Sequence, residues 1–363
     1  MTQLKTLSRQ DPEFQKYLDG RFSKTERAIP LETLNVNSES ESVTFRIVPL
    51  KDVVRPGFFA MWSEVFKFRY FLLLAFPAFV ILTKNMFDDI EIDPLITSTS
   101  LLGAFFLIAA ANLWNDYFDH LKGVDRILPE TQKKPIQKGW VTAWATKAWA
   151  CAYLILGVAL GLPAVIVEPV ILAIVALPGA LALWAWLNPI KGLRFRRGAE
   201  LLVFLLVGPM FAVGFQIASS GFFDIESLWI GVLTGWVAVF LIHVRNFEAV
   251  MVNSQAGFQS TVVGLGFESS KNLLVLWWAA LWGAFILYQY VYTPLIWWPL
   301  GSFAMALATI FPLNRRVSQL KSPMGSEMTA LIQNCRSFVN VFWCWWLLQC
   351  LWMYLLLEIA PAS

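Results

Sequence analysis

Apolar stretches approaching membrane-crossing length recur along the chain, at 71–83, 96–115, 143–162, 164–187, 201–218, 227–243, 272–292, 294–312 and 337–357. A helix needs roughly 20 apolar residues to cross a bilayer's hydrocarbon core. Inside that core every backbone N–H and C=O must be satisfied within the protein, which leaves helices or closed barrels as solutions. Runs of this length predict an all-α, polytopic membrane bundle of about nine transmembrane helices. Only 15% of the residues are charged, where a soluble domain carries about 25%.

The loops between the runs alternate in sign. Those after the second, fourth, sixth and eighth runs hold Lys122, Arg126, Lys133, Lys134 and Lys138, then Lys191, Arg194, Arg196 and Arg197, then Arg245 and Lys271, then Arg315, Arg316, Lys321 and Arg336. The intervening loops hold Asp88, Asp89, Glu91, Asp93, Glu168, Asp224 and Glu226. The excess of Lys and Arg marks the cytoplasmic side, so the N-terminus and the basic loops are expected there and the C-terminus outside. Tight hairpins are expected at Gly161-Leu162-Pro163 and Thr293-Pro294.

Residues 1–56 read as a polar cytoplasmic extension, with Val43–Leu50 as a short strand or surface segment, and 57–363 as the membrane domain. Phe58–Tyr70 mixes aromatics with charge, as an interfacial helix leading into the first span does. Cys151, Cys335, Cys344 and Cys350 have no metal-binding spacing and are expected to pack as small apolar groups.

Within this apolar chain, Ala111–Asp125 (ANLWNDYFDHLKGVD) is anomalous. Asn112, Asn115, Asp116 and Asp119 follow the i, i+3, i+4, i+7 spacing that shares one helical face, and Asp125 lies just beyond Gly123. Acids at a helix C-terminus oppose its macrodipole, so stability alone does not favour them there. Magnesium takes one or two carboxylates, completing its shell with waters and substrate phosphates. The cluster therefore points to a Mg²⁺–diphosphate complex at the cytoplasmic mouth of the bundle, against the plainer alternative of a solvated helix end. Lys133-Lys134-Pro135-Ile136-Gln137-Lys138-Gly139 follows, with lysines suited to phosphate oxygens or to ordinary anchoring at the membrane face.

These residues carry a resemblance. NDYFDHLKGVD followed by KPIQKG is similar to the first aspartate motif and following loop of the UbiA superfamily of intramembrane prenyltransferases. Arg194–Gly208, with its R-G-x-E core at Arg197, Gly198 and Glu200, resembles a second family stretch, and Gly257–Gly266 resembles the tail of the second aspartate motif. The Asp125 spacing and the RGAELLVFLLVGP run look most like the menaquinone-branch dihydroxynaphthoate polyprenyltransferases. The resemblance covers roughly 58–357 and implies helices around a central cavity open to the cytoplasm. One departure stands out: the second motif's aspartates fall on Ala249 and Asn253 in one register, or on Asn246 and Val250 in the other. Glu248 is the only carboxylate between Glu226 and Glu268.

The resemblance implies an isoprenyl diphosphate and an aromatic small-molecule acceptor as partners within the lipid bilayer, and no nucleic acid. Asp116, Asp119 and Arg197 are the expected catalytic residues. Asn115, Asp116, Asp119 and Asp125 are expected to bind Mg²⁺, with Glu248, Asn246 and Asn253 as a reduced second side. Lys134, Lys138, Arg197 and Arg245 are the candidate diphosphate ligands. His120, inside the first motif, is expected either to meet phosphate or to fray into solvent. Tryptophan clusters such as Trp277, Trp278 and Trp282 suit either helix packing and interface belts or a wall around an allylic cation. The alternatives are a terpene cyclase using the same ionisation, a non-catalytic prenyl-lipid binder or regulatory relative, and a transporter. A transporter would place ionisable groups at midplane in several spans, whereas here they gather at one face.

Overall fold

The computed structural model describes residues 3–128, 132–188, 192–293, 295–323 and 325–359. Lys191 and Pro294 lie outside them. The chain divides into two compact units. The first runs to Leu72, resumes over Leu102–Leu160 and adds Val252–Gly257. The second takes Leu73–Leu101, Gly161–Met251 and the chain from Phe258 onward.

The first unit departs from the all-helical expectation. Strands β1 (Gln3–Ser8), β2 (Glu26–Leu34) and β3 (Ser42–Pro49) form an antiparallel sheet in the order β1-β3-β2. The alternation of Val43, Phe45 and Ile47 sends these three side chains inward, as strand periodicity requires. Register slips by one residue between Pro30 and Glu32, where proline has no N–H to give to the ladder. Helix α1 (Phe14–Asp19) closes the core with Phe14 and Leu18, and Gly20 ends it at φ 72°. So small a sheet buries little of its own surface. Leu121, from the end of the acid-bearing helix, packs onto this core.

Helix α2 (Phe58–Phe66) falls within Phe58–Tyr70, where a helix is expected, and α3 (Leu72–Phe87) and α4 (Pro94–Leu121) follow. Helix α5 (Ala143–Val167) corrects one expectation: it runs straight through Gly161-Leu162-Pro163, where a hairpin is predicted. Proline removes one helical hydrogen bond, a loss that neighbouring groups in membrane bundles accommodate. The break falls instead at Glu168-Pro169, since a residue before proline is pushed out of the helical region.

In the second unit come α6 (Leu177–Leu187), α7 (Ala199–Val207), α8 (Pro209–Ser220), α9 (Ile225–Glu248), α12 (Phe267–Tyr292), α13 (Trp297–Gln319) and α14 (Ser326–Ile359). Along the sequence, short helices α10 (Val250–Gln255), most of which belongs to the first unit, and α11 (Thr261–Leu265) lie between α9 and α12. The run predicted as one span at 201–218 is broken at Gly208, and a Cβ there would lie 2.4 Å from the Gly231 carbonyl oxygen. Glycine is what lets α7 and α8 press against α9 this closely. Trp278, Trp282 and Trp346 are buried among Phe240, Phe285 and Phe342, which gives this group a packing role. Cys335 and Cys350 are buried, Cys151 and Cys344 exposed, and all four are free thiols.

Among the described residues six helices are long and apolar enough to cross a membrane: Phe68–Phe87, Pro94–Leu121, Ala143–Val167, Ala199–Ser220, Ile225–Glu248 and Phe267–Tyr292. A shorter apolar helix spans Ala173–Trp186. The chain is an integral membrane protein.

Candidate active site

The last two turns of α4 place Asp116 and Asp119 on adjoining positions of one face, and the chain then turns at Gly123 (φ 82°) into a short 3₁₀ helix, Asp125–Ile127. The three carboxylates converge on one ammonium group. Lys134 Nζ lies 3.0 Å from Asp116, 3.4 Å from Asp119 and 2.8 Å from Asp125. A second lysine, Lys67, donates to Asp116 Oδ1 at 2.7 Å. Lys67 caps α2 in the left-handed region at φ 55°, uncommon for a residue with a side chain.

Two polar atoms of this stretch are left unpaired. Asp125 Oδ2 and Asn112 Nδ2 are buried without a hydrogen-bond partner among the described residues. Burial pushes the Asp125 carboxyl up to about 7, with Lys134 opposing and the neighbouring aspartates assisting. Buried polar atoms left unpaired in a native fold call for water, an ion or a ligand. The donor set is oxygen-rich and anionic, the chemistry a hard divalent cation selects. Among the described residues no group of three or more His, Cys, Asp or Glu side chains is arranged to hold a metal ion by itself. Magnesium does not need one, since it keeps waters and phosphate oxygens in its shell. In donor chemistry the carboxylates suit Mg²⁺, and Lys134 Nζ lies where the three of them converge.

Near Asp125, Arg126 Nη2 donates to Glu41 Oε1 at 2.7 Å. His120 is neither in solvent nor free for phosphate. Its Nε2 donates to the Leu18 carbonyl at 3.0 Å, and its Nδ1 accepts from Gln137 Nε2 at 2.9 Å. The two contacts require the neutral tautomer protonated on Nε2. Lys138 pairs with Glu64 at 2.7 Å and lies 4.4 Å from the centre of the Trp140 ring. Asn115 is half-buried on α4.

The second unit holds another polar cluster. Glu200, buried at the start of α7, accepts from Thr261 Oγ1 at 2.6 Å and from Asn246 Nδ2 at 3.2 Å. The backbone N–H of Gly198 donates to the same Thr261 oxygen at 3.0 Å. These bonds tie the R-G-x-E stretch to the end of α9 and to the GFQSTVVGLG loop. Arg197 lies against Gly264, where a Cβ would come 2.0 Å from its Nε. Glu248 is paired with Arg336 at 3.0 Å. Arg245 is half-buried in the last turn of α9; Asn253, which belongs to the first unit, is buried on α10.

The model of the UbiA prenyltransferase family matches residues 71–328. The chain belongs to the UbiA prenyltransferase family. Solved UbiA structures share the fold. A UbiA homologue from Archaeoglobus fulgidus bound to GPP and Mg²⁺ is 16% identical with TM-score 0.56, covering 78% of this chain and 97% of its own. The same homologue bound to DMAPP and Mg²⁺ gives 15% identity and TM-score 0.54, covering 77% and 99%. A structure described for digeranylgeranylglyceryl phosphate synthase in membranes gives 17% and 0.54, covering 80% and 98%. No curated protein matches the chain. The UbiA match begins beyond the N-terminal sheet.

Two contributors were not evident as site residues from sequence. Lys67 is 49 positions from Asp116, and its only signal is a lysine amid the aromatics of Phe58–Tyr70. Glu41 lies in a serine-rich stretch that reads as solvated.

Proposed function

We propose that this UbiA-family protein transfers an isoprenyl group from a prenyl diphosphate to an aromatic, quinone-precursor-like acceptor within the membrane, with Mg²⁺ as cofactor. The observation that carries the reading is the focusing of Asp116, Asp119 and Asp125 on one cationic point at the end of a membrane helix. Structural relatives bound to GPP or DMAPP with Mg²⁺ support the cofactor and the donor. In this reading nine helices cross the bilayer, the N-terminus and the acid cluster face the cytoplasm, and the C-terminus lies outside, as the loop charges suggest.

Asp116, Asp119, Asp125 and Asn115 would hold the cation, which when bound would neutralise charge on the diphosphate and favour its departure. Lys134 exchanges its carboxylate partners for phosphate oxygens. Lys138 adds positive charge where the leaving group gains negative charge, and the family resemblance is the support for giving Arg197 and Arg245 the same role. The allylic C–O bond breaks with its electron pair on the diphosphate, and an electron-rich ring carbon of the acceptor attacks the allylic cation. The ring then loses its proton to the released diphosphate, a basic anion beside it. Apolar helices keep out the water that would quench the cation.

A second reading is favoured by the state of the second motif. Asn246 donates to Glu200 and Glu248 is paired with Arg336, so this side offers little free negative charge. A non-catalytic prenyl-diphosphate binder would look this way. Membranes containing the protein, incubated with Mg²⁺, radiolabelled polyprenyl diphosphates and a panel of aromatic acceptors, separate the readings. Acceptor-dependent labelled product is expected. Product formed without acceptor indicates a cyclase, and retained binding without turnover indicates the non-catalytic reading. Asn253→Asp is expected to keep activity and to lower the Mg²⁺ concentration at half-maximal rate, because it adds charge to the depleted side. Complete loss of activity in that variant would assign Asn253 a role other than metal support.

A further inference from the structure

Asp116 and Asp119 are placed by α4 itself, whereas Asp125 is not. It follows the left-handed Gly123 in a three-residue 3₁₀ helix, so something outside α4 has to hold it. The N-terminal sheet domain touches this segment from several directions. Leu18 accepts from His120, just before the turn. A Cβ at Gly123 would meet Val36 Cγ1 at 2.6 Å, and a Cβ at Gly139 would meet Ile29 at 2.9 Å. Glu41 grips Arg126 at 2.7 Å, with the two side chains only 2% and 0% exposed. The same guanidinium group donates to the Leu121 carbonyl at 3.3 Å, tying the turn back to the helix end.

We propose that the N-terminal sheet is a positioning brace for the first metal half-site, with Glu41 acting through Arg126 to hold Asp125 beside Asp116 and Asp119. This rests on the reading of Asp125 as a metal ligand. The UbiA match begins at residue 71, so the brace is built from chain that the family match does not include. Partners that orient metal ligands typically matter by about 10–100-fold in affinity. Arg9 also approaches Glu41, at 3.6 Å, but its side chain is 49% exposed and it supplies the control.

The test uses full-length protein in detergent micelles, with Mn²⁺ as an EPR probe of the Mg²⁺ site. Glu41→Gln is expected to weaken Mn²⁺ binding about tenfold. Arg9→Ala is expected to leave it unchanged. If Glu41 acts through Asp125, combining Glu41→Gln with Asp125→Asn weakens binding no further than Asp125→Asn alone. A merely structural role gives additive losses or an unchanged affinity, and either result overturns the brace. If Glu41→Gln does not accumulate, Glu41→Asp, which keeps the charge on a shorter arm, carries the same cycle. Wild-type protein that binds no Mn²⁺, or binds it equally with Asp116→Asn, overturns the metal reading and the brace with it. Normal wild-type binding with an additive cycle overturns the brace alone.

Discussion

Asp116→Asn is expected to abolish prenyl transfer and weaken the fold together, while Asp119→Asn abolishes transfer and costs less stability. The two aspartates are one turn apart on α4, yet their surroundings differ. Asp116 is buried between Lys67 at 2.7 Å and Lys134 at 3.0 Å, and the side chains of these lysines are only 10% and 15% exposed. Removing one partner of a buried ion pair leaves an uncompensated charge and costs about 3–5 kcal/mol. Asp119 meets Lys134 at 3.4 Å, farther than Asp116 does, and Lys134 retains its other two carboxylates, so the loss is expected to be smaller than for Asp116. Both substitutions remove a carboxylate from the cation, and a drop of about a hundredfold or more in transfer is expected for each. Acceptor-dependent product formation and thermal unfolding of the purified variants measure the two effects. Full activity in Asp119→Asn would remove α4 from the metal site, and equal destabilisation by both variants would contradict the burial argument.

The pattern of this cluster was legible because it is local. Helical spacing joins Asn115, Asp116 and Asp119 without knowledge of any other segment. Apolar runs and loop charges likewise located most of the long helices. What escaped detection depends on contacts between distant segments. Lys67 reaches Asp116 across 49 positions from a left-handed cap that no periodicity marks. Leu18 holds His120 through a backbone carbonyl, a group that every residue possesses. Glu41 reads as one more polar residue of a serine-rich stretch until its burial against Arg126 is seen. At Pro163, proline as a helix breaker was the wrong guide, because the helix tolerates the missing hydrogen bond and stops instead before Pro169. The sheet was half legible: Val43–Leu50 alternates, but its partners β1 and β2 give no comparable signal.

Gly264→Ala should leave the protein folded, or slightly more stable, and still impair substrate binding. Gly264 sits in α11 with ordinary helical geometry, where alanine is the better helix former by about 1 kcal/mol. The added methyl has no room, however, because its Cβ would fall 2.0 Å from Arg197 Nε and 2.6 Å from Cζ. Arg197 is an exposed, flexible side chain, so it is the group that yields. The substitution therefore evicts the guanidinium group without altering its charge. Glu200, Thr261 and Asn246 remain bonded beneath it, which keeps the loop attached to α7 and α9. A hydrogen bond to a charged group contributes about 1.5–3 kcal/mol, equivalent to about a tenfold to hundredfold loss of prenyl diphosphate affinity. Arg197→Ala should reproduce that loss, and the double variant should lose no more than either single one. Glu200→Gln should behave differently: it weakens the bonds from Thr261 and Asn246, so stability and binding fall together. Binding of labelled prenyl diphosphate alongside thermal unfolding distinguishes the two classes. Unchanged affinity in Gly264→Ala, with Arg197 shown to have moved, would remove Arg197 from the diphosphate site and leave R-G-x-E a structural clasp centred on Glu200.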